Sequence, residues 1–191
     1  MEINNIIDYL VKAAESPEKA IKESCKKNNK EAIGCVAPYA PEEIVYAANC
    51  IPVGIWGGRV EITKARTYLP AFACSIMQSI MEYEIRGTYD FLKAVLIPAV
   101  CDTLKCFGQK WKGKSKAIPF VFPQNRRSKS SELFLENEYM YIKKELEEIL
   151  DIKITEEALQ DSIILYNDYR AAMREFVEIA SNHTDVITPV I

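Results

Sequence analysis

Four short apolar runs, Ala32 to Val36, Ile51 to Trp56, Phe91 to Val100 and Ile118 to Phe122, punctuate this chain, and none of them alternates strictly between apolar and polar residues. A strand with one wet face shows that alternation, so its absence means strands buried on both faces. Helix-patterned segments separate the runs. Buried strands joined by helices describe a parallel sheet with helices above and below it. The expected fold is therefore α/β, a doubly wound, mostly parallel sheet with helices on both faces and helical N- and C-terminal extensions. A chain of 191 residues, 49% hydrophobic and 27% charged, can bury one such core. It is read as a single α/β domain over 1–191, with a helical lead-in at 1–30, a sheet core at 32–125 and long helices at 128–182.

The helices announce themselves by period and by their ends. Ile3, Ile6, Ile7, Leu10, Val11 and Ala14 make an apolar stripe on a leading helix that runs to Lys27 and restarts at Ser16-Pro17. Pro41-Glu42-Glu43 opens a helix reaching about Asn49, since Pro suits a first turn and carboxylates suit its positive end. Ala73 to Arg86 follows, with Gly87 as its cap. Asp102 to Trp111, Ser128 to Leu150 and Thr155 to Ala180 complete the set. Tyr139, Tyr141 and Tyr166 on the long helices suggest burial against another domain or subunit.

Several function classes fall away. With 24 Lys and Arg against 27 Asp and Glu, net charge −3, there is no broad basic field for nucleic acid. No apolar run approaches the length that spans a bilayer, and the opening residues do not resemble a secretory leader. A cytoplasmic location is expected, and with it reduced thiols rather than a disulfide framework for the six cysteines. Neither G-x-x-x-x-G-K-[ST] nor G-x-G-x-x-G occurs. The single histidine, His183, sits near a helix end where a cation complements the dipole, so histidine-based nucleophilic catalysis is disfavoured. No C-x-x-C pair exists, which argues against structural zinc.

Cys25, Cys35 and Cys50 fit the role of small buried hydrophobes. Cys101 stands apart, because it falls where a strand ends and a helix begins, the place where open α/β sheets put ligands. Cys74 has a related setting at the start of its helix. Free amides and the positive helix end favour thiolates at both. Spacing alone leaves two readings open: two cysteines converging on a shared ligand from one rim, or two core cysteines.

The segment Ile97-Pro-Ala-Val-Cys-Asp-Thr-Leu-Lys-Cys-Phe-Gly-Gln-Lys-Trp-Lys112 resembles the C-D-T-L-x-x-x-x-Q-x-W/F stretch of the 2-hydroxyacyl-CoA dehydratase D-component family, whose superfamily includes benzoyl-CoA reductase subunits. Ile118-Pro-Phe-Val-Phe-Pro-Gln-Asn-Arg126 is similar to the strand and P-Q-N-R that follow it. Gly34 to Ile44, with Ala47-Ala48 and Ile51 to Gly54, resembles the family's G-x-x-x-x-x-x-P-E-E-I-x-x-A-A-x-x-x-P-V segment, and Phe72-Ala-Cys-Ser75 its cluster-cysteine segment.

The resemblance implies a [4Fe–4S] cluster held by three cysteines of each large subunit. It also implies an ATP-hydrolysing activator that supplies an electron, and ketyl-radical dehydration of a 2-hydroxyacyl-CoA to an enoyl-CoA in an anaerobic setting. By that carry-over Cys74 and Cys101 are two cluster ligands. The third lies in a second, C-terminal domain to which nothing in this sequence corresponds, so the chain by itself is expected to be inactive. Asp102 and Thr103 would hydrogen-bond around the ligand, Cys35 in the loop after the first strand would line a substrate pocket, and Gln124, Asn125 and Arg126 would meet a phosphate or CoA moiety. Capping by Asp102 and a solvated loop at 124–126 are the plain alternatives. Implied partners are a second dehydratase subunit, the activator and the acyl-CoA substrate, with a homodimer as another source of ligands. A non-catalytic short relative serving as a partner or scaffold subunit is the competing reading, and a small thiol-based redox or metal-storage protein a third.

Overall fold

Each strand among the described residues is five residues long and overlaps one of the apolar runs of the sequence. The computed structural model describes residues 3–36, 39–125 and 127–185. Helices α1 (Ile3–Glu15) and α2 (Pro17–Asn28) lead into β1 (Ala32–Val36), α3 (Glu42–Ala47) and β2 (Ile51–Ile55). A long connection containing one 3₁₀ turn, Ala65–Thr67, then reaches α4 (Ser75–Ile85). β3 (Ala94–Pro98), α5 (Asp102–Lys110), β4 (Lys116–Phe120), α6 (Lys129–Leu150) and α7 (Glu156–Asn182) follow.

The strands form one four-stranded sheet in the order β2-β1-β3-β4, every pair parallel. The chain builds outward from β1 to β2, then returns past β1 to lay down β3 and β4. Right-handed crossovers therefore put α3 on one face and α4 and α5 on the other. The core divides accordingly. Val36, Val95 and Ile97 pack with Met77, Ile80, Met81, Leu104 and Phe107 of α4 and α5. Ile33, Leu96 and Ile118, one residue out of phase, pack with Ile44 and Val45 of α3 and with Ile142 and Leu146 of α6. This is the doubly wound α/β fold expected from the unalternated runs. α7 lies over α3, where Ser162 Oγ donates to the Glu43 carbonyl at 2.7 Å and Arg170 pairs with the Glu43 carboxylate at 2.6 Å.

Both edge strands contain a proline, and the register explains why. Ile51 N–H bonds inward to the Glu31 carbonyl (2.8 Å) and Lys116 N–H inward to the Lys93 carbonyl (3.2 Å). Backbone groups alternate sides along a strand, so Pro52 and Pro119 occupy outward-facing positions, where no ladder bond is lost.

Three boundaries differ from the sequence expectation. The run Phe91 to Val100 yields a strand only over Ala94–Pro98, because Leu92 N–H turns back to the Tyr89 carbonyl and Val100 N–H to Pro98 (both 3.0 Å). The strand expected over Ile118 to Phe122 starts earlier, at Lys116, and Phe122 instead packs on the α3/α6 side. Cys35, expected in the loop after the first strand, is instead the fourth residue of β1 itself.

Candidate functional site

In a doubly wound sheet the crevice opens at the carboxyl edge, where the direction of winding reverses. Here that point lies between β1 and β3, and the residue three beyond the end of β3 is Cys101. Its backbone is extended, and its Sγ accepts the Leu104 N–H at 3.5 Å, so the thiol itself caps α5. Asp102, the alternative cap, is the first helical residue instead, exposed and paired with Lys105 at 3.2 Å. Cys74 is the matching N-cap of α4, also extended, but its side chain makes no cap bond. Crossover helices run antiparallel to the strands, so α4 and α5, on the same face, both begin at this edge. The two cysteines thus stand exposed at the starts of neighbouring helices. The free N–H groups and positive dipole end there suit an anionic ligand.

Cys25, Cys35 and Cys50 are chemically different. Burial pushes the Cys35 thiol far up, with the Glu42 charge adding to it. Cys35 is 2% exposed and packs with the α3/α6 cluster, on the opposite face of the sheet from α4 and α5. Burial, and then Glu31, push Cys50 up to about 11. Burial and Glu31 also raise Cys25. All three thiols are harder to ionise than an ordinary cysteine.

A cavity of about 530 Å³ opens over the carboxyl ends of β3 and β4, lined among others by Tyr39, Ala99, Val100, Phe122 and Gln124. Gln124 is among the residues that line this space. Asn125 is committed to the turn: its Oδ1 accepts the Arg127 N–H at 2.9 Å and its carbonyl accepts from the Ser131 hydroxyl. Arg126 lies outside the described residues. Thr103 is buried in the first turn of α5.

One group that sequence reasoning passed over shapes the approach to Cys74. Glu82 of α4 is fully buried, yet it accepts from Thr63 N (3.0 Å), Thr63 Oγ1 (2.7 Å), Lys64 N (2.8 Å) and Ala65 N (2.9 Å), and pairs with Arg86 at 3.1 Å. Burial alone would raise its pKa, but these donors outweigh that and hold the carboxyl at about 2. The only signal in the sequence is the spacing of Gln78, Glu82 and Arg86 at intervals of four.

Among the described residues no group of three or more His, Cys, Asp or Glu side chains is arranged to hold a metal ion. Two exposed thiols with favourable helix ends fit part of an iron–sulfur ligand set, which usually takes four cysteines. The sequence model of the 2-hydroxyglutaryl-CoA dehydratase D-component matches residues 37–190, a span that includes both cysteines.

The chain belongs to the 2-hydroxyglutaryl-CoA dehydratase D-component family.

Its relatives in that family include the lactoyl-CoA dehydratase subunit beta of Anaerotignum propionicum, 47% identical over 98% of this chain and 50% of the relative. The (R)-2-hydroxyglutaryl-CoA dehydratase subunit beta of Acidaminococcus fermentans is 38% identical over 98% of this chain and 50% of its own length. A benzoyl-CoA reductase subunit of Thauera aromatica is 29% identical over 80% of this chain and 41% of its own. The chain thus spans about half the length of the curated dehydratase subunits it matches. Within the described residues no helix is long and apolar enough to cross a membrane.

Proposed function

We propose that this chain forms part of a subunit of a 2-hydroxyacyl-CoA dehydratase, in which Cys74 and Cys101 give two thiolates to a [4Fe–4S] cluster. The observation that carries this reading is the placement of both thiols, exposed, at the starts of adjacent helices on one edge of the sheet. Of the curated relatives, those of higher identity are named dehydratase subunits, which favours dehydration over ring reduction.

When bound, the cluster would supply one-electron chemistry at low potential for the net loss of water, the 2-hydroxyl group and a β-hydrogen, from a 2-hydroxyacyl-CoA thioester to give an enoyl-CoA without net redox change. The residues of this chain do the holding. The first turns of α4 and α5 set both thiols beside free backbone amides, and Cys101 Sγ accepts the Leu104 N–H. Phe72 and Ile76 flank Cys74, Val100 precedes Cys101, and all three expose apolar surface that a covering domain or subunit would dry. Gln124 offers its amide to a ligand in the adjoining cavity. A second dehydratase subunit and an ATP-hydrolysing activator complete the system, and the remaining ligands come from outside the described residues.

Anaerobic reconstitution with iron and sulfide tests this, on the chain alone and with a partner subunit, beside a Cys74→Ser/Cys101→Ser variant. The expected result is bound iron and a thiolate-to-iron absorption band that the double substitution abolishes. Iron uptake indifferent to both cysteines, or none in either preparation, refutes the ligand assignment and favours the scaffold reading.

A further inference from the structure

The two candidate ligands are held in different ways. Cys101 is tied locally, its sulfur engaged by the Leu104 N–H. Cys74 has no such bond and ends a connection of almost twenty residues from β2, most of it without regular structure. Its place is set instead by the helix that it precedes. Gln78, Glu82 and Arg86 lie four residues apart and so share one face of α4. Gln78 Nε2 donates to the Ala73 carbonyl at 2.6 Å, next to Cys74. Glu82 collects the donors of residues 63–65, and Arg86 donates to the Glu61 carbonyl at 2.8 Å. The order of contacts is reversed along the helix, so the connection doubles back against α4 and is gripped at each successive turn. Between these grips Ala65, Leu69 and Ala73 are buried. Upstream, Gly57 lies so close to α4 that a methyl group there would overlap Ser79 Oγ.

We propose that Glu82 is a positioning residue for Cys74: with Gln78 and Arg86 it fixes the path of residues 61–73 and thereby the place of the Cys74 thiol relative to Cys101. Its consequence for a cluster rests on the ligand assignment above, but the positioning itself does not. A buried carboxylate is costly to maintain, and apart from Arg86 the donors of this one come from the segment leading to Cys74.

The test compares the wild-type chain with Glu82→Gln and Gln78→Met by amide hydrogen exchange and by alkylation of each cysteine, read by peptide mass spectrometry. Glutamine keeps the shape but leaves one carbonyl acceptor for the donors that Glu82 serves. In Glu82→Gln the amides of 63–65 should exchange about tenfold faster, the weight of one hydrogen bond to a charged group. Cys74 alkylation should change several-fold while Cys101 keeps its wild-type rate. A mere loss of stability moves both cysteines together, and that result overturns the proposal. So does a folded Glu82→Gln chain with unchanged exchange and unchanged Cys74 reactivity. If Glu82→Gln fails to fold, Gln78→Met decides: a change confined to Cys74 supports the proposal, and no change, or an equal change at Cys101, refutes it. With iron and sulfide added, Glu82→Gln should alter the thiolate-to-iron band. Wild-type protein that binds no cysteine-dependent iron defeats the ligand assignment and leaves the alkylation result standing.

Discussion

Glu84, two residues beyond Glu82 and on another face of α4, is its opposite. It is 3% exposed, and among the described residues neither carboxyl oxygen has a hydrogen-bond partner. Gly113 packs directly on it, so closely that a methyl group at 113 would overlap the carboxyl. Burial first, and then the charge of Asp90, push its ionisation up to about 7 from an ordinary 4.5. Below about pH 4.5 both folded and unfolded chains hold the proton, and the group costs nothing. As pH rises, the unfolded chain releases its proton first, so stability falls until the folded group also ionises near 7, and the loss is then complete. At 1.36 kcal/mol per pH unit the interval corresponds to at most about 3 kcal/mol. Water reaching the ionised group lowers this, and about 2 kcal/mol is the working figure. For a chain of this size that equals about 4–8 °C in Tm. Glu84→Gln cannot ionise, so its stability should lack this fall between pH 4.5 and 8. The comparison is the pH slope of urea or thermal unfolding in the two proteins, which cancels any fixed cost of burying an amide. Equal slopes would refute the reasoning.

Three further outcomes follow from the packing. In the native chain a maleimide should label Cys74 and Cys101 well before Cys35 and Cys50, whose thiols are buried and protonated; early labelling of Cys35 would contradict its place in β1. Ser162→Ala and Arg170→Met each remove a tie between α7 and α3 and should cost about 1 kcal/mol by denaturant unfolding, with faster amide exchange in α7. Phe107→Ala empties the centre of the α4/α5 layer and should cost about 3–5 kcal/mol by the same assay.

What could be read from the sequence was whatever depends on neighbours in the chain. Ser128 and Thr155 were legible as helix starts because a capping hydroxyl needs only the amide three residues on, and both hydroxyls make that bond, at 3.3 and 3.1 Å. The parallel sheet was legible because each strand is apolar on both faces. The limits of β3 were not, since turns at Leu92 and Val100, rather than composition, end it. Cys35 was assigned to the loop after the first strand although it lies inside the run Ala32 to Val36, whose limits are those of β1. The junction at Cys101 was found, but the capping atom there is sulfur where a carboxylate was the obvious candidate. The grip of Glu82 on residues 63–65 joins groups 17 to 19 residues apart, and no local pattern distinguishes it from an exposed helical glutamate.

Pro52 and Pro119 set a boundary on growth. A fifth strand, from this chain or another, would dock by reaching the outward backbone groups of β2 or β4, and on each of these edges it meets an imino nitrogen with nothing to donate. Each proline weakens pairing on its edge, which leaves the helix surfaces and the loops at the carboxyl edge, where Cys74 and Cys101 emerge, better suited to contact.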